Sequence, residues 1–183
     1  KFNILIEFLN LKKCFYIKNQ WKVSGVLMYK TMIDKYLDEN KKIEKIIKEI
    51  FLVYPPLNME SAIFTDIAHE ISEKWSIPFH DVKVIGSCHT GFSFVKPKDS
   101  NEIKLFDYES SDIDVAIINK GLFYKIYSKT FISTKRFIIN TEFYKPEHQK
   151  LFKDNLLKGY IRPDTIGDKV FRMEWLRFFK DLS

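Results

Sequence analysis

The stretch Ser111-Asp112-Ile113-Asp114-Val115-Ala116-Ile117-Ile118 restricts the fold more than any other part of the chain. Its apolar half asks to be buried, and its length and branched residues suit a strand running from Asp112 to Ile118. On a strand, residues two apart share a face, so the Asp112 and Asp114 carboxylates project together. Two like charges held that close repel unless a cation sits between them. Mg²⁺ suits such a pair, because it prefers hard oxygen ligands and commonly takes one or two carboxylates, completed by water and substrate phosphates. Taken alone, the pair also describes an ordinary strand start with acids on a solvent-facing edge.

Upstream, Val82, Val84 and Ile85 make a short apolar strand that runs straight into Gly86-Ser87, with Gly91 close behind. A Gly-Ser turn at a strand end can offer backbone N–H groups and a hydroxyl to phosphate oxygens, and glycine lets the phosphate approach closely. On its own this is a plain strand-to-helix connection. Together with the acidic strand, in this order, it carries more.

Helices precede these strands. From Tyr29 to about Tyr54, Ile33, Tyr36, Leu37, Ile43, Ile46, Ile47, Ile50 and Phe51 recur at helical spacing, until Pro55-Pro56 stops the run. A second helix follows, capped by Asn58 or Ser61, with Ile63, Ile67, Ile71 and Trp75 along one side. After the acidic strand come a short helix from Gly121 to about Lys129, a strand from Arg136 to Tyr144 and a helix from Asp168 to Leu182. Phe92–Val95 and Ile103–Phe106 flank a polar stretch and are expected to pair as a hairpin. Residues 1–27 match neither a clean helix nor a clean strand; with Met28 as a natural start they read as an N-terminal extension. Residues 28–78 then form a helical segment and 79–183 the core with its C-terminal helix. The order of elements indicates an α+β domain.

Composition narrows the function classes. The 183 residues are 45% hydrophobic, enough for a real core. Net charge is +6, with Lys and Arg spread along the chain among 24 acids, a mild positive field that fits nucleotides without marking a nucleic-acid site. Cys14 and Cys88 stand far apart with no metal-ligand spacing, so neither a disulfide framework nor a structural zinc site is expected. The apolar run from Phe2 to Leu11 is broken by Glu7, too short to span a bilayer, and lacks a small-residue cleavage site. A reducing cytoplasm is the expected compartment.

Val84-Ile85-Gly86-Ser87, then Gly91, then Ser111-Asp112-Ile113-Asp114-Val115-Ala116-Ile117 resembles the nucleotidyltransferase signature of the DNA polymerase β-like superfamily. The resemblance covers about Asp81 to Asn119. It implies a polymerase β-like mixed sheet with flanking helices, a nucleoside triphosphate held at Gly86 and Ser87, and divalent metal (Mg²⁺ or Mn²⁺) on Asp112 and Asp114, with Ser111 steadying the site. The implied reaction moves a nucleoside monophosphate, AMP first among candidates, onto a hydroxyl of RNA, protein, a small molecule or another nucleotide, with release of pyrophosphate. Small stand-alone members often serve toxin–antitoxin or phage-defence systems, so a bacterial origin, and a partner protein or a second copy, are within what the resemblance implies.

Two features depart from the family pattern. The stretch between Gly91 and Asp112 is long, so Lys96–Glu109 reads as an inserted hairpin that offers Lys96, Lys98 and Lys104 to substrate. The family's third carboxylate, on a later strand, has Glu142 as first candidate and Asp164 behind it; neither sits in an apolar-Asp-apolar context. Many members of the family carry a substantial helical domain after the core, and little of this sequence follows Tyr144. The competing reading is a degenerate nucleotidyltransferase-fold module that binds nucleotide or protein without catalysis. Among other residues, His69 and His80 read as exposed or structural, Cys88 and His89 lie inside the Gly-Ser loop, and Arg162 is a candidate to reach a triphosphate.

Overall fold

A computed structural model describes residues 4–9, 22–94, 103–138, 142–143 and 145–182, with side chains described from Met28 onward. The elements in chain order are β1 (Ile4–Leu9), α1 (Lys22–Asp38), α2 (Ile43–Lys48), α3 (Ser61–Trp75), β2 (Val82–Ile85), α4 (Gly86–Thr90), β3 (Ile113–Ile117), α5 (Lys120–Ser133), α6 (Pro146–Lys158), β4 (Tyr160–Ile161) and α7 (Lys169–Leu182). This is an α+β chain. The strands form one sheet in the order β2-β3-β1-β4, with β4 parallel to β1. The backbone N–H of Ile118 donates to the Asp81 carbonyl, while Gly86 lies against Asp114. Numbers that rise along β2 therefore meet numbers that fall along β3, and the two strands run antiparallel.

Several expectations are met to within a residue or two. β2 has the expected bounds, β3 begins one residue after Asp112, and α3 begins at Ser61. The long first helix does not hold. Asn40 adopts φ 53°, a left-handed conformation that ends α1, and the chain resumes as α2 and a π-helical turn at Glu49–Val53. The apolar period continued through Asn40 because the two helices share one apolar face, and periodicity alone does not see the break.

The N-terminal stretch read as neither helix nor strand contains β1 and the start of α1. The strand expected from Arg136 to Tyr144 is not formed among its described residues. Thr134 to Phe137 turn, with Lys135, Arg136 and Phe137 all at positive φ, and Glu142 lies in an exposed bend. Ile139, Asn140, Thr141 and Tyr144 fall outside the described residues. The aromatic ring of Phe137 instead packs inside the unit, meeting Tyr127, Phe131 and Phe152 at centroid distances of 5.6, 5.4 and 5.6 Å.

The chain divides into two compact units: one of Lys1–Leu9, Ile67–Val82 and Val115–Ser183, the other of Asn10–Asp66 and Lys83–Asp114. In the first unit, Trp75 stacks on Trp175 at 4.5 Å, with Phe171 and Phe179 beside it. In the second, Tyr29, Ile46, Ile50 and Phe92 form the buried cluster, flanked by Met32, Ile33, Phe51 and Leu57. No helix among the described residues is long and apolar enough to cross a membrane.

Candidate functional site

The site lies within the second unit, where β2 delivers Gly86 and Ser87. Val82 and Val84 point into the core, while Lys83 and Ile85 are half-buried, the alternation of a strand covered on one face. Gly86 turns the chain at φ 66° and Gly91 ends the single turn of α4 at φ 85°, its N–H donating to the Ser87 carbonyl. Between them the backbone is tied down on all sides. The Thr90 hydroxyl lies within hydrogen-bond reach of the Phe92 and Gly86 carbonyls, at 2.8 and 3.2 Å, and the Leu57 and Asn58 N–H groups donate to the carbonyls of His89 and Cys88. Ser87 is half-buried at the start of this turn.

Gly86 is set against Asp114. A Cβ built at Gly86 would overlap Asp114 Oδ2 and come within 3.0 Å of its Cγ. Only the absence of a side chain lets β2 and β3 approach this closely, a requirement added to the left-handed backbone. Asp114 is half-buried, and its Oδ1 is enclosed with no hydrogen-bond partner among the described residues. Burial, then the negative charge of Asp112, push the Asp114 carboxyl up from 3.8 to about 6. Asp112 itself is exposed, one residue ahead of the strand. The two carboxylates thus differ: one faces water, the other is desolvated and under-satisfied.

The approach to Asp112 is an organised turn. Asp107 accepts from Ser110 Oγ (2.6 Å) and from the Glu109 N–H (3.3 Å), while Ser111 Oγ accepts from the Asp107 N–H (3.0 Å). The Ser110 hydroxyl, followed by the backbone N–H groups, holds the Asp107 carboxyl below its ordinary range. Ser111 therefore acts inside this turn, fixing the chain that enters β3. The pattern Asp107-x-x-Ser110-Ser111 is a legible turn signature that the sequence reading passed over. Among the described residues of the expected hairpin, Phe92 forms an antiparallel bridge with Leu105, and the Ser93 and Phe106 N–H groups donate to the Lys104 and Gly91 carbonyls. Tyr108 Oη donates to the Asn58 carbonyl at 3.0 Å, so the stretch Lys96–Glu109 is tied into the unit at its end. Lys96 and Lys98 lie outside the described residues.

His89, placed by the sequence inside the Gly-Ser loop, is a buried strut. Only 1% exposed, its Nδ1 lies 2.9 Å from the Val84 carbonyl and its Nε2 2.7 Å from that of Ile50, and burial lowers its pKa. It joins the Gly-Ser turn to the π-helical turn, a contact across 39 residues that no local pattern announces. Cys88 is buried as well, its thiol pushed up to about 12 by burial and then by the charge of Asp114.

Glu142 and Asp164 belong to the first unit, and Asp164 is engaged by Arg162 through Nε and Nη2 at 3.1 and 2.9 Å. His69 and His80 are exposed beside Glu73 and Asp81. Among the described residues no group of three or more His, Cys, Asp or Glu side chains is placed to hold a metal. The donor set fits a hard divalent cation only as a two-carboxylate site, in which Asp114 Oδ1 is the oxygen left for it and water or substrate completes the shell.

No protein-family model, no curated protein and no solved structure matches the chain.

Proposed function

We propose that the second unit carries a metal-dependent nucleotidyl-transfer site built on a polymerase β-like arrangement of β2, α4 and β3. The observation that carries this reading is the enclosed, unpartnered Asp114 Oδ1 on the strand beside Gly86. A buried acceptor without a donor costs on the order of 1–3 kcal/mol, which a ligand of the right charge would offset. Asp112 and Asp114 are assigned to hold Mg²⁺ or Mn²⁺. Gly86 and Ser87 are assigned to the triphosphate, with Ser111 keeping the entry to β3 in place.

In this reaction an acceptor hydroxyl forms a bond to the α-phosphorus of a nucleoside triphosphate. The bond to the bridging oxygen breaks, pyrophosphate leaves, and the hydroxyl proton is released. When bound, the divalent ion supplies positive charge to the phosphate oxygens and makes the attacking hydroxyl more acidic. The chain's own part is to orient: Gly86 and Gly91 permit a tight turn that backbone hydrogen bonds from Leu57 and Asn58 tie down, and the Asp107 turn holds Asp112 at the strand entrance. AMP is the proposed group transferred, and a hydroxyl on RNA, protein, a small molecule or a nucleotide the proposed acceptor.

A second reading is favoured by one observation. Asp164 is held by Arg162, and among the described residues no third carboxylate joins Asp112 and Asp114 in a group placed to hold a metal. A module that binds nucleotide without transferring it would keep Gly86 and Asp114 and need no third acid. Incubation with each α-labelled triphosphate and Mg²⁺ or Mn²⁺ separates the two. Transfer of label to RNA, to the protein or to a small product, lost in Asp114→Asn, supports the enzyme. Nucleotide binding with no labelled product under any of these conditions supports the module.

A further inference from the structure

Between Asp114 and Glu142 the chain contains no acid, yet it carries five cations: Lys120, Lys125, Lys129, Lys135 and Arg136. The fold gathers them on α5 and the turn that follows. Leu122, Phe123, Ile126 and Thr130 occupy the buried side of α5, so Lys120, Tyr124, Lys125 and Lys129 are turned outward, and all four are exposed. None of the five cations forms an ion pair among the described residues. α6, by contrast, interleaves its lysines with Glu147 and Asp154. Glu174 feels the charges of Lys129 and Lys125. Its carboxyl is held below its ordinary range by a hydrogen bond from Lys74 and further by the charges of Lys74, Lys129 and Lys125, so it is already committed.

Two further features make this surface more than a solvated helix face. Tyr124 lies between Lys120 and Lys125 with 49% of its surface open, its ring edge-on to Phe123 at 5.5 Å. Lys135, Arg136 and Phe137 adopt φ 47°, 69° and 62° in succession, a left-handed turn that side-chain-bearing residues avoid. The turn is held rigid. Thr134 Oγ1 accepts from the Phe137 N–H, Gln149 Nε2 donates to the Phe137 carbonyl, and the Phe137 ring is packed beneath. Lys135 and Arg136 are thereby fixed in the open just past the end of α5, both exposed.

We infer that the outer face of α5 and the Lys135-Arg136 turn form a binding surface for single-stranded nucleic acid. Cations in a row meet the phosphates, and an aromatic ring set among them offers a stacking platform to an unpaired base. A duplex keeps its bases stacked and gives Tyr124 nothing to do. A membrane surface calls for an exposed apolar helix face, whereas the apolar face of α5 is spent in the core. This surface belongs to the first unit and does not depend on the nucleotidyl-transfer reading.

Fluorescence anisotropy on the full chain tests it, with labelled single-stranded RNA and DNA of about 12 nucleotides and no triphosphate present. Affinity is expected to fall steeply between about 50 and 200 mM salt. Combined Lys120→Gln, Lys125→Gln and Lys129→Gln should weaken binding at least about tenfold at the lower salt, and Tyr124→Ala about fivefold or more. Lys150→Gln, Lys153→Gln and Lys158→Gln on α6 remove the same charge and should change it less than about threefold. The RNA and DNA arms show which sugar is preferred. Three results would each overturn the inference: no binding of either strand at low salt, an equal loss in the α6 variant, or competition by base-free heparin unaffected by Tyr124→Ala.

Discussion

Gly86 and Asp114 lie so close that the strand carrying one leaves no room for a side chain on the other: a Cβ at Gly86 would overlap Asp114 Oδ2. The same contact that brings the Gly-Ser turn to the acidic strand also limits which oxygens of Asp114 can be satisfied. Packing at this point and the charge state of the site are therefore one problem.

Gly86→Ala should be costly for two separable reasons. The left-handed backbone (φ 66°) costs an alanine about 1–2 kcal/mol, and overpacking against Asp114 adds ~1–3 kcal/mol. Together these imply a fall in melting temperature of roughly 4–20 °C for a chain of this size. Adding Asp114→Ala removes the overlapping carboxylate, so the double variant should be more stable than the sum of the two singles implies. Additive losses would show that the two residues do not meet.

The raised Asp114 pKa gives a signed pH dependence. A carboxyl at about 6 in the fold and 3.8 when unfolded favours the folded state while protonated, below pH 4, and loses that contribution as pH rises through 6. The full difference would be about 3 kcal/mol, and solvent screening of this half-exposed group reduces it to ~1–2 kcal/mol. Metal-free Asp114→Asn should accordingly be more stable than the wild type at pH 8, with the gap closing toward pH 4. A gap that stays constant across this range would contradict the burial of the carboxylate.

Cys88 provides a chemical probe of the same neighbourhood. Buried and pushed up to about 12, its thiol stays protonated and unreactive at pH 8. In a Cys14→Ser background, iodoacetamide should label Cys88 only on the timescale of unfolding, and Gly86→Ala should speed that labelling. Rapid modification of the native chain would show that the turn around Cys88 opens.

Much of this arrangement was legible because its signals are local. The Val82–Ile85 strand, the Gly-Ser turn and the start of α3 at Ser61 follow from patterns a few residues long. What escaped depends on distant partners or on conformation hidden by composition. The left-handed Asn40 interrupts an unbroken apolar period, and the residues around Phe137 look like a strand but pack as a turn on Tyr127 and Phe152. His89 finds the Ile50 carbonyl across 39 residues, and Asp107 organises Ser110 and Ser111 through side-chain bonds that binary patterning does not weigh. β1 joins the sheet from a stretch without clear alternation, because pairing rather than pattern defines it.

The most direct test of the central claim is a thermal-shift series on wild type, Asp112→Asn and Asp114→Asn, with and without Mg²⁺ and each common triphosphate. A ligand bound only by the folded chain raises its melting temperature by mass action, about 2.7 kcal/mol at a hundredfold excess over Kd. The account expects the wild type to gain stability from Mg²⁺ plus at least one triphosphate. It expects both variants to lose most of that gain while remaining as stable as the wild type, or more so, without metal. No gain for the wild type with any triphosphate, or an equal gain in all three proteins, would contradict a metal–nucleotide site at Asp112 and Asp114.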